Sequence, residues 1–129
     1  MNTPLNKILY VEDEPDIRTI TQLALETVGG FKLAVCSDGD AAVKIGPDFQ
    51  PDLILLDVMM PGMDGPTTLA ALRQLPALAN SPVIFMTAKV QPAEVKRYRD
   101  LGALDVIAKP FDPMTLAEQV QQIWNAAHG

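Results

Sequence analysis

The sequence predicts an open parallel α/β sheet with helices on both faces, and three observations predict it. Short apolar runs alternate five times with stretches that carry apolar residues at helical spacing. The third run, Leu53-Ile54-Leu55-Leu56, is apolar on both faces, as in a central strand covered by helix layers on either side. Four of the runs end on ionisable or hydroxyl side chains: Glu12-Asp13, Asp57, Thr87 and Lys109. In a parallel sheet the C-terminal strand ends face the crevice where ligands bind.

The first strand is expected from about Lys7 to Val11. Pro15 opens a helix whose Ile17, Ile20, Ala24, Leu25 and Val28 fall on one stripe, and Gly29-Gly30 stops it. Lys32 to Cys36 forms the second strand, and Ser37-Asp38-Gly39 leads into a short helix ending near Gly46-Pro47. The third strand, Asp52 to Leu56, delivers Asp57 to a loop, Pro61-Gly62-Met63-Asp64-Gly65. A helix with Leu69, Leu72 and Leu75 follows, then a fourth strand from Val83 to Met86. Pro92 opens a fourth helix with a thin apolar stripe of Val95, Tyr98 and Leu101. The fifth strand runs from about Leu104 to Ala108. Asp112 caps the last helix, with Pro113 in its first turn and Leu116, Val120, Ile123, Trp124 and Ala127 on its buried side. No repeat, low-complexity segment or linker interrupts this plan, so residues 1–129 are expected to form a single domain with no room for a second.

Composition narrows the function classes. The chain has 129 residues, 48% hydrophobic and 20% charged, which suits one globular domain. A net charge of −6 argues against nucleic acid as a direct partner, because a phosphate backbone needs a basic face. No apolar run approaches the roughly 20 residues of a membrane span, so no membrane association is expected. Met1 to Lys7 is too short and polar for a secretory leader, and a single cysteine, Cys36, fits a reducing cytoplasm. Cys36 is expected in the core, and His128 in a solvated tail. Trp124 suits either core packing or a partly exposed contact.

The residues at the strand ends suit phosphoryl transfer onto Asp57. A carboxylate can attack a phosphoryl donor and form a mixed anhydride. The transferred group is strongly anionic, and Mg²⁺ held by one or two carboxylates is its usual neutraliser. Asp13 and Asp57 supply carboxylates, and Glu12 can hold a metal-bound water or bind directly. Lys109 can neutralise a second phosphoryl oxygen, Thr87 can donate to a third, and the backbone N–H of Ala88 is a further donor. Taken singly, each has a plainer reading: a helix cap for Glu12-Asp13, turns for Asp57 and Lys109-Pro110, a satisfied hydroxyl for Thr87. Their joint placement at the ends of strands in one α/β frame favours a single site.

Over nearly its whole length the chain resembles the receiver domain of two-component response regulators. The resemblance is carried by Ile8-Leu9-Tyr10-Val11-Glu12-Asp13-Glu14-Pro15, by Leu55-Leu56-Asp57-Val58-Met59-Met60-Pro61-Gly62-Met63-Asp64-Gly65, by Met86-Thr87-Ala88 and by Lys109-Pro110-Phe111. It implies a flavodoxin-like (βα)5 fold with strand order 2-1-3-4-5. It also implies that Asp57 is the phosphoacceptor, charged by a histidine kinase or a histidine phosphotransfer protein. Mg²⁺ would be bound by Glu12, Asp13 and Asp57 with the backbone carbonyl of Met59, and the Lys109-Pro110 peptide would be cis. One position departs: three residues before Lys109, where the family commonly has an aromatic switch residue, stands Val106. Met59 and Lys89 occupy the positions at which the family varies its rate of dephosphorylation.

The function expected is a stand-alone, non-enzymatic signalling switch. Phosphorylation would alter how a downstream protein binds the face made by the fourth helix, fifth strand and fifth helix. Two other readings compete: a phosphorylation-independent adaptor of the same fold, and an aspartyl-phosphate phosphatase. The phosphatases resemble one another in needing a second acid two residues past the nucleophile, and that position is Met59.

Overall fold

A computed structural model describes residues 4–128. Five strands, β1 (Lys7–Val11), β2 (Lys32–Cys36), β3 (Leu53–Asp57), β4 (Val83–Thr87) and β5 (Asp105–Ala108), form one parallel sheet in the order β2-β1-β3-β4-β5. Five helices connect or follow them: α1 (Pro15–Leu23), α2 (Gly39–Phe49), α3 (Gly65–Arg73), α4 (Pro92–Asp100) and α5 (Leu116–His128). This is the flavodoxin-like order implied by the sequence motifs.

Strand alternation divides the apolar residues between two cores. Tyr10, Leu55, Ile84 and Ile107 face Leu25 of the first helical segment and Leu116, Val120 and Trp124 of α5. Leu9, Ile54, Leu56 and Phe85 face Ala42 of α2, Leu69 and Leu72 of α3, and Tyr98 of α4. Successive residues of a strand thus enter opposite layers, which is why β3 and β4 are buried throughout and apolar up to their last residues, Asp57 and Thr87. Cys36 is buried, as expected.

The departures from the sequence reading have local causes. After Leu23 the first helix continues as a π turn, Ala24–Val28, closed by the Gly29 N–H donating to Ala24 O at 3.2 Å. The wider winding carries Val28 off the buried stripe to 50% exposure, and Ile20 lies at the rim while Thr21 is buried in its place. Gly30, at φ +73, ends the segment.

Pro47 does not stop α2, which runs on to Phe49. One backbone donor is missing there, but Phe49 packs against the core and its carbonyl accepts from Lys7 Nζ at 3.1 Å. Asp112 does cap the approach to α5: its Oδ1 accepts from the Met114 N–H and its carbonyl from the Leu116 N–H. In α5, Trp124 is core and Ala127 is exposed. His128 is not a free tail residue, since its ring stacks on Trp124 with centroids 3.8 Å apart and Nδ1 lies 2.9 Å from the Trp124 carbonyl.

Candidate functional site

The parallel register decides which loop residues meet. Val11 pairs with Leu56, Asp57 with Met86, and Thr87 with Ala108. The β1–β2, β3–β4 and β4–β5 ladders each gain one rung: Glu12 N–H to Cys36 O, Val58 N–H to Met86 O and Lys109 N–H to Thr87 O, all at 3.0 Å. Glu12, Asp57, Thr87 and Lys109 therefore leave the sheet along one edge.

Their side chains converge there. Lys109 Nζ donates to Glu12 Oε1 at 2.8 Å and to Asp57 Oδ1 at 3.0 Å. Both carboxylates are buried, at 0% and 2% exposure, and the lysine side chain is 16% exposed. The Lys109-Pro110 peptide is cis. Asp13 joins the pair from the loop after β1, and one carboxylate oxygen each from Glu12, Asp13 and Asp57 lies within 4.8 Å of the others. Thr87 is buried, and its Oγ1 accepts from the Lys89 N–H at 3.1 Å. Ala88 and Met59 are exposed in the loops that leave β4 and β3 beside these groups.

Two features hold the loops in place. Arg18 Nη1 donates to the carbonyls of Glu12 and Asp13 at 2.9 and 3.3 Å, tying the acidic loop to α1. The start of α3 folds back over Asp57, with the Gly65 N–H on Val58 O at 2.9 Å and Asp64 Oδ1 accepting from Thr67 N–H. A Cβ at Gly65 would lie 2.7 Å from the Asp57 carbonyl oxygen, so only glycine fits that approach.

Burial sets the electrostatics. The Asp57 carboxyl is raised from 3.8 to about 7, by burial first and then by Glu12, while Lys109 opposes the rise. Burial pulls the Lys109 ammonium down, but its bonds to Glu12 and Asp57 outweigh this and leave it raised. Three carboxylates with a single lysine between them favour a further cation. An all-oxygen donor set of this kind fits a hard divalent ion such as Mg²⁺ and offers nothing to a soft one.

The structure brings Glu12, Asp13, Asp57 and Lys109 into one cluster and places Thr87 at the neighbouring strand end, its hydroxyl on the Lys89 N–H. It adds Tyr10, Thr21 and Arg18. Tyr10 was legible, since strand alternation puts it on the same face as Glu12. Thr21 and Arg18 were not, because their contacts depend on how α1 lies against the sheet.

Comparison with known proteins agrees with this geometry. Residues 8–121 match the family described as "Response regulator receiver domain". The chain is 36% identical over 121 residues to the DNA-binding response regulator MtrA of Mycolicibacterium smegmatis, covering 94% of this chain and 51% of that protein. It is 38% identical over 117 residues to the alkaline phosphatase synthesis transcriptional regulatory protein PhoP of Bacillus subtilis, covering 91% and 48%. The chain thus spans about half the length of these curated relatives. Among solved structures it is similar to the chemotaxis protein CheY4 of Vibrio cholerae, with a TM-score of 0.84 at 28% identity over 93% of this chain and 99% of that one. The signal receiver domain of a histidine kinase from Syntrophus aciditrophicus gives a TM-score of 0.77 at 35% identity, covering 94% and 91%. With the family matched across both cores and every strand end of the site, the chain belongs to the response regulator receiver domains of two-component systems.

Proposed function

We propose that this receiver domain is a phosphorylation-dependent switch whose phosphoacceptor is Asp57. The observation that carries the reading is Lys109 Nζ bonded at once to Asp57 and Glu12, with Asp13 in the same cluster. An Asp57 carboxylate oxygen attacks the phosphorus of a phosphohistidine on a histidine kinase or histidine phosphotransfer protein. The P–N bond breaks, the imidazole leaves, and an acyl phosphate remains on Asp57. Lys109 then follows the charge onto a phosphoryl oxygen, and Thr87 and the Ala88 N–H donate to the others. Glu12, Asp13, Asp57 and the Met59 carbonyl would hold Mg²⁺, which when bound neutralises the phosphoryl oxygens.

A donor must approach over the mouth of the crevice. Ile17, Ile20, Pro110, Phe111 and Pro113 line a shallow apolar hollow of about 160 Å³ beside Lys109, which supports docking of a protein there. For output we favour the face of α4, β5 and α5, because α4 buries only Tyr98 and can shift at low cost. The domain acts as acceptor and signal rather than enzyme: Met59, two past Asp57, is apolar and 66% exposed, so no acid stands there to drive hydrolysis. The negative charge supports protein partners, not nucleic acid, for this domain's own surface. Among the described residues no helix is long and apolar enough to cross a membrane, and we place the domain in the cytoplasm with its kinase.

Acetyl phosphate with Mg²⁺ should add one phosphoryl group by intact-mass measurement, and Asp57→Asn should remain unlabelled. Labelling that persists in Asp57→Asn would sink the assignment. Wild type that takes no label would favour the adaptor reading.

A further inference from the structure

Beneath the acidic crevice lies a buried polar group that phosphoryl transfer, as described above, does not use. Tyr10 and Thr21 are both fully buried, one on β1 and one on α1. The Tyr10 hydroxyl donates to Thr21 Oγ1 at 3.0 Å and also lies 3.4 Å from Glu12 Oε1. A phenol has one hydrogen, so it serves one acceptor well at a time. The distances say which: at 3.0 Å Thr21 holds it, and 3.4 Å is long for an O–H···O bond. A phenol keeps its proton at neutral pH, so Tyr10 is a donor there.

Glu12 Oε1 does not need Tyr10 in this arrangement, because Lys109 Nζ is 2.8 Å away. Among the described residues Lys109 and Tyr10 are the donors that reach that oxygen. A lysine turned toward a phosphoryl group on Asp57 leaves Oε1 buried without its strong partner. An ionised oxygen stranded in that way is costly. The one group already in place to replace the lysine is the Tyr10 hydroxyl.

We propose that Tyr10 is a positioning residue for the phosphorylated state: parked on Thr21 at rest, its hydroxyl takes over Glu12 Oε1 when Lys109 moves to the phosphoryl group. The proposal rests on the roles given above to Asp57 and Lys109. Glu12 then keeps its place at the metal-binding edge while its cationic partner is engaged elsewhere. Thr21 is the alternative acceptor that stops Tyr10 from competing with Lys109 in the resting protein.

Two near-isosteric variants and a phosphoryl mimic test this. Beryllofluoride is titrated into wild type, Tyr10→Phe and Thr21→Val in the presence of Mg²⁺. Tyr10→Phe should bind the mimic about tenfold more weakly, with Mg²⁺ affinity of the resting protein changed by less than about twofold. Thr21→Val leaves Glu12 as the only acceptor, so it should bind the mimic as tightly as wild type, or up to about threefold more tightly. The chain has only two tyrosines. In protein carrying ¹³C at the tyrosine Cζ, the Tyr10 resonance, identified by its loss in Tyr10→Phe, should shift when the mimic binds. Wild-type affinity in Tyr10→Phe overturns the proposal. So does a loss in Thr21→Val equal to that in Tyr10→Phe, which is what a merely structural network would give. If wild type binds no beryllofluoride with Mg²⁺, the reading of Asp57 itself fails, and this proposal with it.

Discussion

The two helices that flank β5 are built to opposite ends. α5 sends Leu116, Ala117, Val120 and Trp124 into the core shared with β1, β3 and β4. α4 sends in Tyr98 alone, against Phe85 at 5.1 Å between ring centroids, and leaves Leu101 46% exposed. Its first turn also holds a buried Glu94 carboxylate oxygen with no hydrogen-bond partner among the described residues. α4 is short of what normally secures a helix. Both helices reach the same crevice, since Thr87 leads into α4 and Lys109 leads into α5. The difference teaches that one side of the site is a wall and the other can move. On the function proposed above, a charge added at Asp57 would find its mechanical response where anchoring is weakest.

The strongest way to break this comparison is to attack the wall. Trp124→Ala should cost about 3–5 kcal/mol in urea unfolding, the range for removing a large buried aromatic side chain. A cost under about 1 kcal/mol would show that α5 is no better secured than α4.

Local opening gives the next largest contrast. Amide exchange in α4 should proceed through openings at least about 2 kcal/mol cheaper than those of α5. With Mg²⁺ and beryllofluoride, protection should change from Lys89 to Ala108 and remain constant across Leu116 to Trp124. Changes confined to the loops at Glu12 and Asp57 would remove α4 and β5 from the output face.

The acidic crevice sits at the seam, and pH sharpens what it contributes. The Asp57 carboxyl is raised from 3.8 to about 7 on folding. Between those values the folded protein holds a proton that the unfolded chain releases. Metal-free protein should therefore lose stability as pH rises from about 4 through 7, by up to about 4 kcal/mol. Asp57→Asn should abolish the slope, and Mg²⁺ should oppose it, because the ion binds only the folded site. A flat profile in the metal-free wild type would mean that Lys109 fully offsets burial and Glu12.

The smallest effect concerns the surface. Arg99 Nη2 bonds Asp105 Oδ1 at 3.0 Å, joining α4 to β5, but the arginine side chain is 56% exposed. Arg99→Ala should change stability by less than about 1 kcal/mol. A larger loss would show that α4 is pinned electrostatically rather than held by Tyr98.

Much of the chemistry was legible because it lies at the ends of strands whose pattern is strong. Asp57 follows four apolar residues, and Glu12-Asp13 and Lys109 follow similar runs, so their convergence needed only parallel pairing in the expected order. Element ends were less legible. Pro47 reads as a stop, yet Phe49 and the Lys7 contact carry α2 past it. The π turn at Ala24–Val28 leaves no mark in a 3.6-residue pattern, so Val28 reads as buried and is exposed.

By itself, then, the sequence determined the alternation of strands and helices, the central place of β3, and the carboxylates, hydroxyl and lysine at one edge of the sheet. Those follow from periodicity and from chain order, which are local properties. Only the tertiary structure decided that Lys109 bridges Glu12 and Asp57, that Tyr10 and Thr21 lie beneath them, that His128 packs on Trp124, and that α4 hangs from one aromatic ring. The His128–Trp124 stack joins residues one helical turn apart and needed only the rotamers of α5. The others depend on distances between residues well separated in the chain, which are set by how helices settle against the sheet.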